Sequence, residues 1–549
     1  SLCVAEESRQ PARRDHIGPD WWQHHRAYPR QSDNLRVEAA LADNARTVIR
    51  GEAGAGKSTL LSWLAVNAAR GTFTSQLQGW NECVPFLVKL RDFANRPLPR
   101  GDALISEQSE LECGPIPPEW VHRQLLSGLA ILLVDGVDEL PSGQRDKVRA
   151  WLRAQLGQYP DIKIVVTSRP TAITQKWLTR ENFRSVVLEP MNPTDVQVFL
   201  QRWHRALLDS LPDPALLPCH PDDVPKHERS LMAQLQARAH LRALARNPLL
   251  CAMLCALNLD RKAKLPRDRL ALYSAALDML LERRDSDRGV AVGVQATPAE
   301  KLVLLRALAW WLNENSRTQM TRDQALDRLR DRLPGMPAIH EDAETLLEHL
   351  VQRSGVIRQP ALGKIDFIHR TFQEFLAAKE AVDRDSIDLL IRNARSDLWR
   401  ETVLMACAHA NAEQRGRLLA GILNTADSAN AKVARQLRLV ATACKETATL
   451  VEPADVITRI DATIRDLLPP RHIRESRSLA TVGEAVLDYL PATLDDLTPA
   501  QAAACFRTAA LINGPRALDV LARYGGDPRY KVMRQAEECW RYFDPEHYA

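Results

Sequence analysis

One stretch of the chain carries a strong chemical signal: Gly51-Glu52-Ala53-Gly54-Ala55-Gly56-Lys57-Ser58-Thr59. Glycines at this spacing let the backbone wrap closely around a polyphosphate. The N–H groups of residues 53 to 58 then converge at a helix start, where the helix dipole also favours anions. Lys57 is placed to bridge β- and γ-phosphates, and Ser58 to offer its hydroxyl oxygen to Mg²⁺. Such a loop needs a strand before it and a helix after it. Thr47–Ile49 supplies an apolar, β-branched strand, and Leu60–Ala69 reads as the helix.

Two further segments fit the same chemistry. Ala130-Ile-Leu-Leu-Val134 is an apolar run ending in Asp135-Gly136-Val137-Asp138-Glu139. In a P-loop sheet an acid at such a strand end orients Mg²⁺ and its waters, which assigns Asp135 to the metal. Asp138 and Glu139 follow at the distance where a carboxylate can position an attacking water. The plain alternative is an ordinary acidic loop between strand and helix; the P-loop upstream favours the first reading. Ile162-Lys-Ile-Val-Val-Thr167-Ser168-Arg169-Pro170 is another strand, tipped by Arg169, which could sense a γ-phosphate. A lone arginine at a strand end is usually a surface residue, so this assignment leans on the other two motifs.

These motifs need a scaffold, and the pattern from Thr47 to about Met191 predicts one. Short β-branched runs (Thr47–Ile49, Val84–Leu90, Ala130–Val134, Ile162–Thr167, Ser185–Leu188) alternate with helical stretches, which implies right-handed crossovers and a mostly parallel sheet. Residues 1 to 46, with Pro11, Pro19, Pro29 and the Trp21-Trp22 pair, read as a linker or docking arm. Beyond Pro193 helices dominate: 195–204, 230–245, 248–257 and 297–313, with a proline-rich loop over 211–226. The acid–base alternation of Arg322–Arg332 reads as a solvated helix face. Gly355–Arg358, a Pro-Ala-Leu-Gly turn and Lys364–Ile368 predict a hairpin. From Phe372 onward the chain reads as helices broken near 453, 469, 491 and 525, a stack of helical hairpins with no strict repeat.

Composition excludes several classes. The 549 residues predict three or four domains. Basic and acidic residues number 73 and 69, so neither a polybasic arm nor an acidic tail dominates. No apolar run approaches the ~18 residues of a membrane span, and the first twenty residues hold no signal-peptide core. The ten cysteines include no CxxC pair, and Cys251 and Cys255 read as small core residues. A cytoplasmic, reducing setting fits that usage. Ser1 in place of an initiator Met reads as a fragment, a processed product or a renumbered chain, so a segment is expected to be missing, an effector or sensor domain among the candidates.

The three motifs, in this order, resemble the NACHT branch of the STAND ATPases, which includes animal inflammasome receptors and bacterial antiphage proteins. The diagnostic element is Asp135-Gly-Val-Asp138-Glu139, with the extra acid. Asn247-Pro248-Leu249-Leu250 matches the segment whose proline packs against adenine in the family. Phe367-Ile-His369-Arg-Thr-Phe372-Gln-Glu-Phe375 resembles the winged-helix segment whose histidine touches the nucleotide. Trp399-Arg-Glu-Thr-Val-Leu404 and the closing Trp540–Tyr548 match bacterial members more loosely.

The resemblance implies an α/β P-loop NTPase domain followed by a helical domain, a winged-helix domain and a C-terminal α-helical array. The boundaries read as 1–46 for the arm, 47–193, 194–260, 261–378 and 379–549. It implies ATP, ADP and Mg²⁺ as ligands. Gly51, Ala53, Gly54, Ala55, Gly56, Lys57, Ser58, Thr59, Pro248 and His369 would bind the nucleotide, Ser58 and Asp135 the metal, and Asp138, Glu139 and Arg169 would serve hydrolysis. It further implies a switch that is closed with ADP and homo-oligomeric with ATP, answering a trigger such as a phage component. No membrane partner is expected.

The same residues bear on other P-loop classes and on a non-enzyme reading. A GTPase should carry an Asn-Lys-x-Asp guanine reader, and the sequence has none. Pro141-Ser142-Gly143-Gln144-Arg145 resembles a transporter signature but follows the acidic strand instead of preceding it. A constitutive AAA+-like motor shares the sheet and the oligomeric habit. A winged-helix nucleic-acid regulator is the non-enzyme alternative, yet Asp366, Glu374 and Glu380 against Lys364, Arg370 and Lys379 make no basic stripe.

Overall fold

A strand buried on both faces must be apolar throughout, and its alternate residues must fill two different cores. The computed structural model shows this arrangement. It describes residues 3–6, 34–93, 96–101, 104–105, 117, 119–140, 142–170, 172–174, 176–210, 217, 219–260, 265–266, 268–286, 296–446, 448, 450–480 and 482–543. These fall into two compact units, Ser1–Met191 and Asn192–Ala549. Pro11, Pro19, Pro29, Trp21-Trp22, much of the predicted 211–226 loop and the end of the Trp540–Tyr548 match lie outside the described residues.

The first unit is built on one sheet of β1 (Cys3–Glu6), β2 (Asn34–Arg36), β3 (Arg46–Arg50), β4 (Val84–Lys89), β5 (Ala130–Asp135), β6 (Lys163–Ser168) and β7 (Arg184–Leu188), in the order β2-β1-β7-β3-β6-β5-β4. From β7 to β4 all pairings are parallel. Ile49, Ile131, Leu133, Val165 and Val186 pack with Leu60, Leu61 and Leu64 of helix Lys57–Arg70. Their strand neighbours Val48, Leu132, Val134, Ile164 and Val166 join Val148 and Leu152 of helix Ser142–Gln158 on the other face. Each such side chain contributes about 1.5–3 kcal/mol of burial, so both helices are pinned by the strands that carry the motifs.

The N-terminal arm is not wholly a linker. β1 pairs antiparallel with β7 and with β2, and helix Val37–Ala42 buries Val37, Ala40 and Leu41. Strands of three and four residues are too short to show a period, and β7's open edge decides their pairing.

The second unit starts with helices Pro193–Ser210, Val224–Ala237, Ala239–Ala245 and Pro248–Asp260. The helix expected over 230–245 is thus two, broken at Arg238, whose backbone is extended (φ −124°, ψ 108°). Helices Arg269–Ser286, Pro298–Glu314, Arg322–Arg332, Ala343–Arg353 and Arg370–Asp383 surround a three-stranded antiparallel sheet. Its strands β8 (Gln319–Thr321), β9 (Ile357–Ala361) and β10 (Lys364–Phe367) lie in the order β8-β10-β9. Ala361 pairs with Lys364, so the hairpin turns on Leu362-Gly363 alone, with Gly363 at φ +68°. Pro360 sits within β9, an edge strand that tolerates the missing donor.

Glu380 is buried and takes Arg306, Arg332 and Arg384, tying three helices of this region together. Among the described residues nine more α-helices run from Ile387–Asn393 to Tyr530–Cys539, and no strand follows Phe367. Among them, too, no helix is long and apolar enough to cross a membrane.

His409 ends helix Arg400–His409 against the Phe375 ring, 4.9 Å between centroids. Burial, with Lys379 and Arg306 nearby, pushes its imidazole down to about 4, outweighing the opposing Asp383. Burial lowers His204 and His369 as well. The unfolded chain therefore binds protons that the folded chain refuses between about pH 4 and pH 6.5. Stability is full above that window and falls as pH drops through it. His409 alone should cost about 2 kcal/mol between pH 7 and pH 5. Urea midpoints of wild type and His409→Leu at the two pH values check this; an equal acid loss in both would remove His409 as a cause.

Candidate nucleotide-binding site

The P-loop begins where β3 ends. Gly51 N–H donates to the Ser168 carbonyl at 3.0 Å, fastening the loop to the tip of β6. A Cβ on Gly51 would lie 3.2 Å from Leu188 Cβ, so the chain passes β7 at a distance that favours glycine. Gly54 (φ +75°) and Gly56 (φ +86°) take the left-handed backbone that reverses the chain into helix Lys57–Arg70. Gly56 is the N-cap, and no side chain caps the helix. A helix start without a capping side chain and with glycine beside it leaves a cradle that an anion's oxygens fit.

Lys57 is half-buried, and its ammonium donates to the Gly51 and Glu52 carbonyls at 2.7 and 2.9 Å. Burial lowers its pKa and Arg169 lowers it further, against the pull of Asp138, Glu52 and Asp135. One cation therefore lies within electrostatic reach of both acidic positions and of the β6 arginine. Ser58 and Thr59 are exposed at the first turn. The Ser58 hydroxyl and the Asp135 carboxylate are hard oxygen donors, a set that suits Mg²⁺.

Asp135 closes β5. Its Oδ1 accepts from Thr167 Oγ1 at 2.5 Å, and the same hydroxyl accepts from Gly136 N–H at 3.1 Å. Gly136 (φ +84°) then swings the chain into the turn Val137–Glu139. A Cβ there would meet Glu139 Cδ at 3.0 Å, so the half-buried Glu139 side chain folds back over this glycine. Asp138 is turned the other way. Its Oδ1 accepts from the Arg169 backbone N–H at 3.0 Å, and its Oδ2 pairs with Arg169 Nε at 3.1 Å. The two side chains are only 7% and 9% exposed.

Two residues that sequence reasoning had not assigned to the site complete it. Thr167 is a fully buried hydroxyl in an apolar strand, a polarity break that could have drawn notice. Arg145 is buried and donates to Leu140 O (3.1 Å) and Ala172 O (2.6 Å), bracing the segments after Glu139 and Arg169. No local pattern distinguishes it from the other arginines of its helix.

The first unit thus holds residues 51–59, Asp135, Asp138, Glu139 and Arg169. Pro248 and His369 belong to the second unit, where each occupies a helix start. Pro248 is the first residue of its helix, and Asn247 Oδ1 accepts from Leu249 and Leu250 N–H at 3.0 and 3.3 Å. His369 is the N-cap of Arg370–Asp383, its ring unused in capping and 6.4 Å from that of Phe372.

Residues 45–207 match the NACHT domain, and residues 269–381 match the winged helix-turn-helix domain C-terminal to NACHT. Among solved structures the chain is similar to Cdc6p from Pyrobaculum aerophilum, at 12% identity over 61% of this chain and 88% of that one (TM-score 0.24). It is also similar to Drosophila ORC in its DNA-bound structure, at 14% identity over 62% and 83% (TM-score 0.22). No curated protein matches the chain. The glycine-capped loop on a parallel sheet and the two consecutive family matches agree: the chain carries a NACHT domain followed by the winged helix-turn-helix domain that is C-terminal to NACHT.

Proposed function

We propose that this protein is an ATP-operated switch, closed with ADP at rest and ATP-bound and homo-oligomeric when triggered, with slow hydrolysis as its reset. The observation that carries the proposal is the uncapped helix start at Gly56, with Lys57 in electrostatic reach of Asp135, Asp138 and Arg169. Backbone N–H groups of 53–58 would hold the phosphates, and Lys57 would exchange two carbonyls for phosphate oxygens. Ser58 and Asp135 would hold Mg²⁺, which when bound neutralises charge on the β- and γ-phosphates. The adjacent acids Asp138 and Glu139 would serve hydrolysis, and Arg169 would sense the γ-phosphate.

In this reading Pro248 contacts the base, and His369 donates a hydrogen bond to ADP in the closed state alone. A role in cytoplasmic bacterial antiphage defence rests on the resemblance carried by Trp399–Leu404 and Trp540–Tyr548. The nucleic-acid alternative is disfavoured by the second unit's own surface. On the exposed face of helix Ala343–Arg353, Glu348 is acidic and Glu344 pairs with Arg322, which leaves that face without an excess of positive charge for a phosphate backbone.

Lys57→Ala should abolish ATP binding or hydrolysis, because no other residue of the loop is cationic. Isothermal titration with Mg·ATP tests this; wild-type affinity in the variant would exclude the P-loop as the site. His369→Ala should separate the switch from a constitutive motor. A hydrogen bond to a charged group is worth ~1.5–3 kcal/mol, so its loss should speed ADP release roughly ten- to hundredfold and favour assembly. Stopped-flow release of a fluorescent ADP and light scattering read both. An unchanged ADP off-rate with an unchanged monomer fraction would leave the motor reading ahead.

A further inference from the structure

Asp138 and Glu139 are adjacent, yet the structure gives their carboxylates different surroundings. Glu139 is half-buried over Gly136. Asp138 is buried and meets Arg169 at two points, the backbone N–H through Oδ1 and Nε through Oδ2. Contacts to N–H and Nε together set both the strand tip's position and the guanidinium's direction. A charge-assisted pair of this kind is geometrically specific. It is also buried, so it serves orientation more than net stability.

The surroundings reinforce that grip. Arg145 braces Leu140 O and Ala172 O, two residues beyond Asp138 and three beyond Arg169. Thr167, two residues before Arg169, bonds both Asp135 Oδ1 and Gly136 N–H. The β5 and β6 tips are therefore joined on either side of the Asp138–Arg169 pair, and Lys57 feels both members of it.

We infer that Asp138 is a positioning residue for Arg169, aligning its guanidinium for the terminal phosphate of a nucleoside triphosphate, and that it acts on the reaction through Arg169 rather than on the water directly. This rests on the proposed nucleotide site and assigns a division of labour within it. Asp138 governs the response to the γ-phosphate, and Glu139 is left to serve the water.

The test is a double-mutant cycle on the full chain, with Asp138→Asn, Arg169→Met and the pair combined, and Glu139→Gln as comparison. Asp138→Asn should weaken Mg·ATP binding roughly tenfold relative to Mg·ADP, as coupled neighbours do. The same substitution should change neither ATP affinity nor single-turnover rate further once Arg169 is Met. Glu139→Gln should lower turnover in both backgrounds and spare the ATP-to-ADP affinity ratio. A merely structural Asp138 would weaken both nucleotides alike, and a water-positioning Asp138 would lower turnover independently of Arg169; either result overturns the inference. Arg169→Met alone leaves a buried charge unpaired and can unfold the chain. In that event Arg169→Lys, which keeps the charge and loses Nε, serves as the second background, where Asp138→Asn must again add less than it does in wild type. Failure of the site itself has a separate signature, wild-type protein that takes up neither nucleotide.

Discussion

The parallel register of β3, β6 and β5 is the constraint on which the first unit depends. Ile49 pairs with Thr167 and Val134 with Val166, so three strands reach the same edge within a residue or two of one another. Parallel strands all point their carboxyl ends one way, and each loop leaving that edge begins at nearly the same height. Gly51, Gly136 and Arg169 follow directly from it. A slip of one residue in β5 would turn Asp135 to the opposite face and bury its carboxylate among leucines and valines.

Chemistry at that edge is organised by contacts between loops as much as by the strands. The Gly51 N–H bond to Ser168 fastens the phosphate loop to β6, and Thr167 fastens β5 to β6. Asp138 and Arg145 then fix the segment that carries Arg169. Buried polar networks are costly when half satisfied, which makes this arrangement sensitive to a change at any member. The same logic recurs in the second unit at Glu380, where one buried carboxylate collects three arginines from three places in the chain.

A nucleotide switch needs parts whose contacts differ between states, since only differential binding moves an equilibrium. Here Lys57 rests on two backbone carbonyls of its own loop, partners that are easily exchanged for phosphate oxygens. His369 sits at a helix start with its ring uncommitted to the cap. Lys57 is held by neutral carbonyls, whereas Asp138 and Arg169 hold each other by charge.

The sequence alone determined the parts whose information is local. The phosphate loop is legible because its glycines sit where φ must be positive, and its lysine and serine follow at set spacing. The strands β3 to β7 are legible because each is a run of β-branched residues bounded by turns. The helix expected over 297–313 is legible in the same way, and the structure caps it with Thr297 and Glu300. What only the tertiary structure decided are the relations between distant residues. The N-terminal strands found a place in the sheet because β7 had an open edge. The 230–245 segment broke at Arg238 although nothing in it is a helix breaker. Asp138 turned to Arg169, thirty-one positions away, while its neighbour Glu139 turned to Gly136. Two adjacent acids are equivalent in a sequence; burial and the partner across the strand separate them, because a carboxylate out of water must find its hydrogen bonds wherever the fold supplies them.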